Sequence, residues 1–284
     1  MHERVAIVGV GLIGGSFGLA LKAAGHAGEI VGIGRDRERL AEALYLGVVD
    51  RIETDAVAGV EGADVVLLAV PMGAMRAVLT AVAPGLAADT VVTDAGSVKG
   101  SVVADARTAL GTLGRFVPGH PIAGTEHSGV GAAFPSLYRG RRVLLTPTAE
   151  VDADAVERVE RLWVRTGALV ERLDVADHDR LLAATSHLPH MLAFGLVDAL
   201  ARSGDAERVF RYAAGGFRDF TRIASSDPLV WRDICLANRE SLLAALQSYR
   251  DDLDALTAEV EVGDADGLLT RFRQAKAARD RFCG

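Results

Sequence analysis

Residues 117–129 read Val-Pro-Gly-His-Pro-Ile-Ala-Gly-Thr-Glu-His-Ser-Gly and carry an ionisable imidazole (His120), a carboxylate (Glu126) and two hydroxyls (Thr125, Ser128) within nine positions. Glycine, proline and hydroxyl residues make the stretch a loop. His120 lies between Gly119 and Pro121, a setting that suits a side chain held in one place. A neutral histidine is well matched to taking a proton from a hydroxyl near pH 7. We expect His120 to take the proton of a substrate hydroxyl while a nicotinamide takes a hydride from the same carbon. Without that proton loss, hydride removal would leave positive charge on the carbinol carbon.

The hydride acceptor needs its own cradle, and the chain opens with one. Val5–Val8 is a short apolar run that reads as a buried parallel strand. It leads into Gly9-Val10-Gly11-Leu12-Ile13-Gly14 and then a helical pattern to about Ala24. In a G-x-G-x-x-G of this kind Gly9 permits the turn, Gly11 admits a pyrophosphate, and Gly14 lets helix and strand pack closely. The helix start, Leu12 and Ile13, offers free N–H groups to the phosphates. After the second strand, Glu29–Ile33, an NAD-selective fold wants an acidic residue for the ribose hydroxyl. Gly34 and Arg35 stand there instead, and an arginine pairs with a 2′-phosphate, so we expect NADP, with NAD the alternative. Asp36 follows at once and would reach the ribose if the turn shifted by one residue.

Strand and helix patterns then alternate. Strands over 63–70, 90–94 and 115–117 should end at Val70-Pro71, Gly96-Ser97 and Gly119-His120, all converging on the crevice beyond the carboxyl ends of a parallel sheet. Ser97 is either a helix N-cap or a contact to the substrate hydroxyl or nicotinamide. A strand over 142–146, a helix over 155–166 and a strand over 169–172 complete this half. The fold class expected is α/β: a Rossmann-type dinucleotide-binding domain over 1–173, then an all-α domain over 174–284 that binds substrate and dimerises.

In the second half a helix should run from Ala176 to about Ala201, kinked at Pro189, with His187 and His190 on one face. No third ligand accompanies them, so no metal is expected. Ser225-Ser226-Asp227-Pro228 reads as a helix start. A single helix from Leu229 to about Val260 should come next, and a last helix after Gly263. The stripe Ile234, Leu242, Leu246, Leu253 and Leu256 of so long a helix should pack against a second subunit, which makes a homodimer the expectation.

Composition narrows the partners. The 284 residues carry a net charge of −7, and half are hydrophobic. Neither nucleic acid nor a membrane surface is expected to bind so acidic a chain. Cys235 and Cys283 are far apart and in no metal spacing, which reads as two reduced thiols. With no signal-peptide pattern and no apolar run of spanning length, the expected location is the cytoplasm.

These motifs resemble the prephenate/arogenate dehydrogenase family of tyrosine biosynthesis over nearly the whole chain. The resemblance rests on residues 9–16, on Thr93-Asp94-Ala95-Gly96-Ser97-Val98-Lys99, on 119–126, on Ser186-His187-Leu188-Pro189-His190, and on Gly215 through Ala224 with Asp227-Pro228 and Trp231-Arg232-Asp233. It implies oxidation of the ring carbinol of a cyclohexadienyl dicarboxylate with release of CO2. By the same resemblance His120 is the proton acceptor, Ser97 a hydrogen-bond partner of the ring hydroxyl, and Arg222 the holder of a substrate carboxylate. His190, Thr125, Glu126 and Trp231 match substrate-pocket residues. His127 departs from the lysine of many relatives, and Gly34-Arg35 from their acidic residue. No regulatory module is expected beyond residue 284. Prephenate, arogenate and a 4-amino analogue remain open as substrates. Two rivals are weaker: a 3-hydroxyacid dehydrogenase wants a helical-domain lysine where only Lys276 occurs, and a sensor without turnover leaves His120, Ser97 and Arg222 unexplained.

Overall fold

The computed structural model describes residues 3–26, 28–125 and 127–282. Glu126 and Cys283 therefore lie outside the described residues. The chain divides into two compact units, Met1–Asn238 and Arg239–Gly284.

The first unit is built on a six-stranded parallel sheet in the order β3-β2-β1-β4-β5-β6. Its strands are β1 (Val5–Val8), β2 (Ile30–Ile33), β3 (Arg51–Glu53), β4 (Val65–Leu68), β5 (Val91–Asp94) and β6 (Phe116–Val117). Val5, Ala6 and Ile7 of central β1, and all of β4, are fully enclosed, as expected where helices cover both faces of a parallel sheet. Helices α1 (Leu12–Ala23), α2 (Arg37–Tyr45), α3 (Ala56–Val60), α4 (Met75–Val82) and α5 (Gly100–Leu110) make the crossovers. The strand order reverses direction between β1 and β4, where such folds bind their ligands.

A second, three-stranded sheet comes next. In it β7 (Gly119–Pro121) pairs antiparallel with β8 (Arg142–Leu145), which pairs parallel with β9 (Leu169–Arg172) across α6 (Ala153–Arg165). His120 therefore sits on a strand rather than in a loop: its partner across the ladder is Leu144. The Gly and Pro that suggest a loop only make this strand short. The segment between β7 and β8 returns to α1, where Tyr138 Oη donates to the Ile13 carbonyl at 2.6 Å and Phe134 N donates to Ser16 Oγ at 3.1 Å.

The helical part begins with α7 (Val175–Leu182) and continues through a π-helical turn (Ala183–His187) into α8 (Leu188–Ala201). The expected single helix is thus interrupted just ahead of Pro189, because the wide turn removes the need for the N–H that proline lacks. Then come α9 (Ala206–Arg211), α10 (Gly215–Thr221) and α11 (Pro228–Ala237). Asp227 caps α11 by accepting from Leu229 N and Val230 N. The expected helix from Leu229 to Val260 is in fact two: it breaks at Asn238 (φ −105°, ψ 38°), whose side chain is held by the Asp179 carbonyl.

The second unit is a helical hairpin, α12 (Arg239–Val262) and α13 (Ala265–Phe282), turned at Gly263 with φ +69°. Arg271 ties it by pairing with Glu259 at 2.7 Å. Leu253, Val260, Val262 and Phe272 remain exposed on it. No described helix is long and apolar enough to cross a membrane.

Candidate active site

The glycine motif has the geometry a dinucleotide needs. Gly9 holds φ +92°, and a Cβ there would stand 2.4 Å from the Ala69 carbonyl oxygen and 3.0 Å from Val70 Cγ1. A Cβ on Gly14 would stand 2.2 Å from the Gly9 carbonyl oxygen. Gly11 differs: a Cβ there meets nothing within 4 Å. The first and third glycines therefore serve packing, while the second keeps an approach open. Gly11 is also the N-cap of α1 and no side chain caps that helix, so the first N–H groups of α1, at Leu12 and Ile13, face outward for an anion. Val70 flanks this turn half-buried and Pro71 is exposed. Arg35 is exposed just past β2, whereas Asp36 turns away to cap α2, accepting from Glu38 N at 3.0 Å and Arg39 N at 3.2 Å.

Beyond the ends of β5 and β6 a buried relay orients His120. His120 Nδ1 lies 2.9 Å from His178 Nε2, and His178 Nδ1 lies 2.8 Å from Asp179 Oδ1. The Asp179 carboxylate only accepts, so His178 donates from Nδ1, its Nε2 accepts, and His120 donates from Nδ1. The lone pair of His120 is thereby fixed on Nε2. Burial above all, then the charges of Lys99, His178 and His187, hold the His120 pKa well below the usual histidine value. The ring is thus a free base at neutral pH.

Asp179 does a second thing. Its Oδ1 and Oδ2 accept from Lys99 N and Gly100 N, each at 2.8 Å, and so cap α5 from another element. Its pKa is low: burial pushes it up, but the His178 bond and the two amides outweigh that. Ser97 is therefore not the cap of α5. It is half-buried and makes no hydrogen bond to a described residue, which leaves its hydroxyl for a ligand.

An enclosed ion pair joins the Ser97 turn to the His120 strand. Lys99 Nζ pairs with Asp94 and donates to the Gly119 carbonyl at 2.6 Å. Asp94 also accepts from Gly96 N at 2.7 Å and Gly119 N at 3.1 Å. The residue before Ser97 and the residue before His120 thus share one carboxylate.

A second cluster lies on the helical elements. His190 stacks on Trp231 with centroids 3.5 Å apart and planes at 16°, and its Nδ1 donates to the Ser186 carbonyl at 2.9 Å. Burial first, with the Arg222 charge behind it, lowers the His190 pKa against that carbonyl's pull. Arg222 is exposed in the 3₁₀ turn after α10, and no described carboxylate pairs with it. Thr125 is exposed, and its Oγ1 accepts from His127 N at 3.2 Å.

His178, Asp179, Lys99 and Asn238 are candidate site residues to which sequence reasoning gave no role. The one available signal was the His178-Asp179 dipeptide, a carboxylate beside an imidazole; nothing in the sequence ties it to a residue 58 positions away. Among the described residues no group of three or more His, Cys, Asp or Glu is disposed to hold a metal.

Known proteins share most of this chain. Residues 17–172 match the family model "Prephenate dehydrogenase, nucleotide-binding domain", and residues 174–274 match "Prephenate dehydrogenase, dimerization domain". The chain is 38% identical to the cyclohexadienyl dehydrogenase of Zymomonas mobilis, over 98% of this chain and 96% of that one. It is 38% identical to the prephenate dehydrogenase of Bacillus subtilis, over 99% of this chain and 76% of that one. Prephenate dehydrogenase from Aquifex aeolicus, solved with hydroxyphenyl propionate and NAD+, superposes with a TM-score of 0.94 at 40% identity, covering 99% of this chain and 98% of that one.

Proposed function

Since the chain belongs to the prephenate dehydrogenase family, we propose that His120, Ser97, Arg222 and the His190–Trp231 pair divide one reaction among them. That reaction is the oxidative decarboxylation of prephenate to 4-hydroxyphenylpyruvate with NAD(P)+. The Gly9–Gly14 turn would hold the pyrophosphate of a dinucleotide, whose nicotinamide would supply the hydride acceptor.

His120 Nε2 takes the ring hydroxyl proton as hydride leaves the carbinol carbon. Ser97 Oγ, without a partner among the described residues, orients that hydroxyl. Arg222, with no carboxylate partner among the described residues, binds a substrate carboxylate, for which a guanidinium offers paired donors. His190 and Trp231 present a flat wall to the ring. Thr125 and Glu126 keep the role the family resemblance implies, contact with the substrate. Loss of the ring carboxylate sends its bonding pair into the ring, and His120 returns its proton to the phenolic oxygen. The proton is lent rather than released, so a buried base with no exit path suffices.

The single observation that carries this reading is the His120–His178–Asp179 relay, which leaves Nε2 of His120 as the basic atom. For the cofactor we propose a preference for NADP: Arg35 is free for a 2′-phosphate and Asp36 is spent on its helix. The exposed apolar side chains of the α12–α13 hairpin, within the matched dimerization domain, support a homodimer. A cytoplasmic location accords with the two-cysteine composition. The test is reduced-cofactor formation from prephenate, arogenate and 4-amino-4-deoxyprephenate, each with NAD+ and NADP+. Turnover of prephenate, faster with NADP+, is expected. Binding of cofactor without turnover of any of the three would overturn the reading.

A further inference from the structure

The helix that follows the Ser97 turn has no cap of its own. Lys99 stands at the N-cap of α5 and makes no side-chain bond to the helix, and the first turn holds no acidic residue. The first amides of such a helix lack intrahelical partners. Lys99 N and Gly100 N instead donate to Asp179, 80 and 79 positions further along the chain.

That fit depends on a missing side chain. A Cβ on Gly100 would stand 2.9 Å from Asp179 Oδ2, and it would meet nothing else within 4 Å among the described residues outside its own helix and chain neighbours. Gly100 is not among the glycines with positive φ, so its backbone would accept any residue. The close approach of the Asp179 carboxylate is what calls for glycine.

Asp179 thereby accepts three N–H groups. Lys99 N and His178 Nδ1 share Oδ1, and Gly100 N takes Oδ2. Hydrogen bonds to a carboxylate favour its charged form and make it a weaker base. Asp179 is 8% exposed, so water does little to dilute them. The two amides draw on the same negative charge that would otherwise reach His120 through His178. His178 then passes orientation to the base without much added basicity.

The other charged and titratable groups around the relay are held independently of Gly100. Lys99 Nζ is paired with Asp94 of β5 and bonded to the Gly119 carbonyl. His187, in the π-helical turn, has its Nδ1 3.1 Å from Asn238 Nδ2. A Cβ at position 100 would reach none of Asp94, His178 and His187 within 4 Å. A substitution there acts on the relay through Asp179.

We propose that Gly100 is a positioning residue for the base: its missing Cβ seats Asp179 on the α5 amides, which restrains the basicity that the relay confers on His120. The proposal rests on the reading of the site as a prephenate dehydrogenase. Its chemical consequence lies at the end of the cycle. A base that stays weak gives its borrowed proton back to the phenolic oxygen readily.

The test uses the full-length protein and two variants, Gly100→Ala and Ala104→Gly, with melting temperatures recorded for each. Turnover of prephenate by the unsubstituted protein comes first; its absence sinks the parent reading rather than this one. Gly100→Ala turns Oδ2 off the Gly100 amide while Oδ1 stays on His178. The acid limb of kcat/KM should then move up by about 0.5–1 pH unit, part of the worth of one hydrogen bond to a carboxylate, with cofactor Kd unchanged. Ala104 is exposed on the same helix. Ala104→Gly weakens that helix by propensity alone and should leave the limb in place. A limb unmoved in Gly100→Ala, or moved equally in both variants, overturns the proposal. Should Gly100→Ala not fold, the unsubstituted protein decides. Lys99-Gly100 is the only Lys-Gly step in the chain, so carbonyl-13C lysine with 15N glycine isolates the Gly100 amide in an NMR spectrum. That amide should shift with the same midpoint as the acid limb. A Gly100 signal that stays flat across the limb overturns the proposal by itself.

Discussion

His120 Nδ1 approaches His178 Nε2 to 2.9 Å, joining a strand of the nucleotide-binding half to the first helix beyond it. This contact decides which nitrogen of His120 is basic. His120→Asn removes the base itself and should lower kcat by at least ~10²-fold, within the usual range for general base catalysis. His178→Phe keeps the base but frees its tautomer, and should cost roughly 10- to 100-fold, the value of one buried hydrogen bond to a group that becomes charged. Cofactor affinity, measured by fluorescence titration, should stay near wild type in both. An active His120→Asn enzyme would remove His120 as the base.

The same relay sets the pH response. Protonated His120 has no lone pair on Nε2, so kcat/KM should fall on the acid side as His120 gains its proton. With the His120 pKa depressed by burial and by Lys99, His178 and His187, that fall should lie below the ordinary histidine value near 6.5. Asp179→Asn takes away the negative end of the relay, which favours the imidazolium. The acid limb should then move to still lower pH while turnover drops. A limb that moves upward in Asp179→Asn would contradict the relay.

The glycine motif separates into parts with different readouts. Gly14→Ala places a Cβ 2.2 Å from the Gly9 carbonyl, so backbone must shift, and both melting temperature and cofactor affinity should fall. Gly11→Ala meets nothing within 4 Å. Its melting temperature should hold or rise slightly through the unfolded-state effect of alanine, while cofactor Kd rises at least ~10-fold because the methyl intrudes where the phosphates approach. Thermal scans with and without cofactor distinguish the two.

Legibility in the chain tracks burial. Strands β1, β2, β4 and β5 are short apolar runs enclosed on both faces, and the Gly9–Gly14 turn marks the passage from β1 into α1. Edge strand β3, Arg51–Glu53, has no such run. His120, Ser97, Arg222, His190 and Trp231 stand out as candidates in the sequence because their neighbours are distinctive. His178, Asp179 and Asn238 do not: each sits in an ordinary helical pattern, and their partners are long-range in sequence. The break at Asn238 was hidden for the same reason. Its neighbours favour helix, and only the tertiary bonds to Asp179 and His187 hold it out.

Arg222 has no protein counter-ion among the described residues, so its removal should be felt by substrate rather than by the fold. Arg222→Ala should raise KM for prephenate by ~10- to 100-fold, as for a lost hydrogen bond to charge. The effect on kcat should be smaller and melting temperature unchanged. Steady-state kinetics with both substrates varied measures this. A pure loss of kcat would mean the guanidinium acts on the reacting atoms instead of the carboxylate.

Acid should destabilise this protein earlier than its carboxylates alone would. His187 falls from an ordinary 6.5 to about 4 on folding, and His120 is lowered too. The unfolded chain then binds protons that the folded one refuses, so stability is fully present above pH 6.5 and is lost as pH falls to about 4. For His187 the loss is on the order of 3 kcal/mol at most. Asp179, with its folded pKa lowered from 3.8, acts in a lower window and cannot account for a loss between pH 6.5 and 4. Melting temperature against pH should therefore slope down across that interval, and His187→Gln, which cannot titrate, should flatten part of the slope. An unchanged slope in that variant would mean the folded His187 takes up its proton as readily as the unfolded chain does.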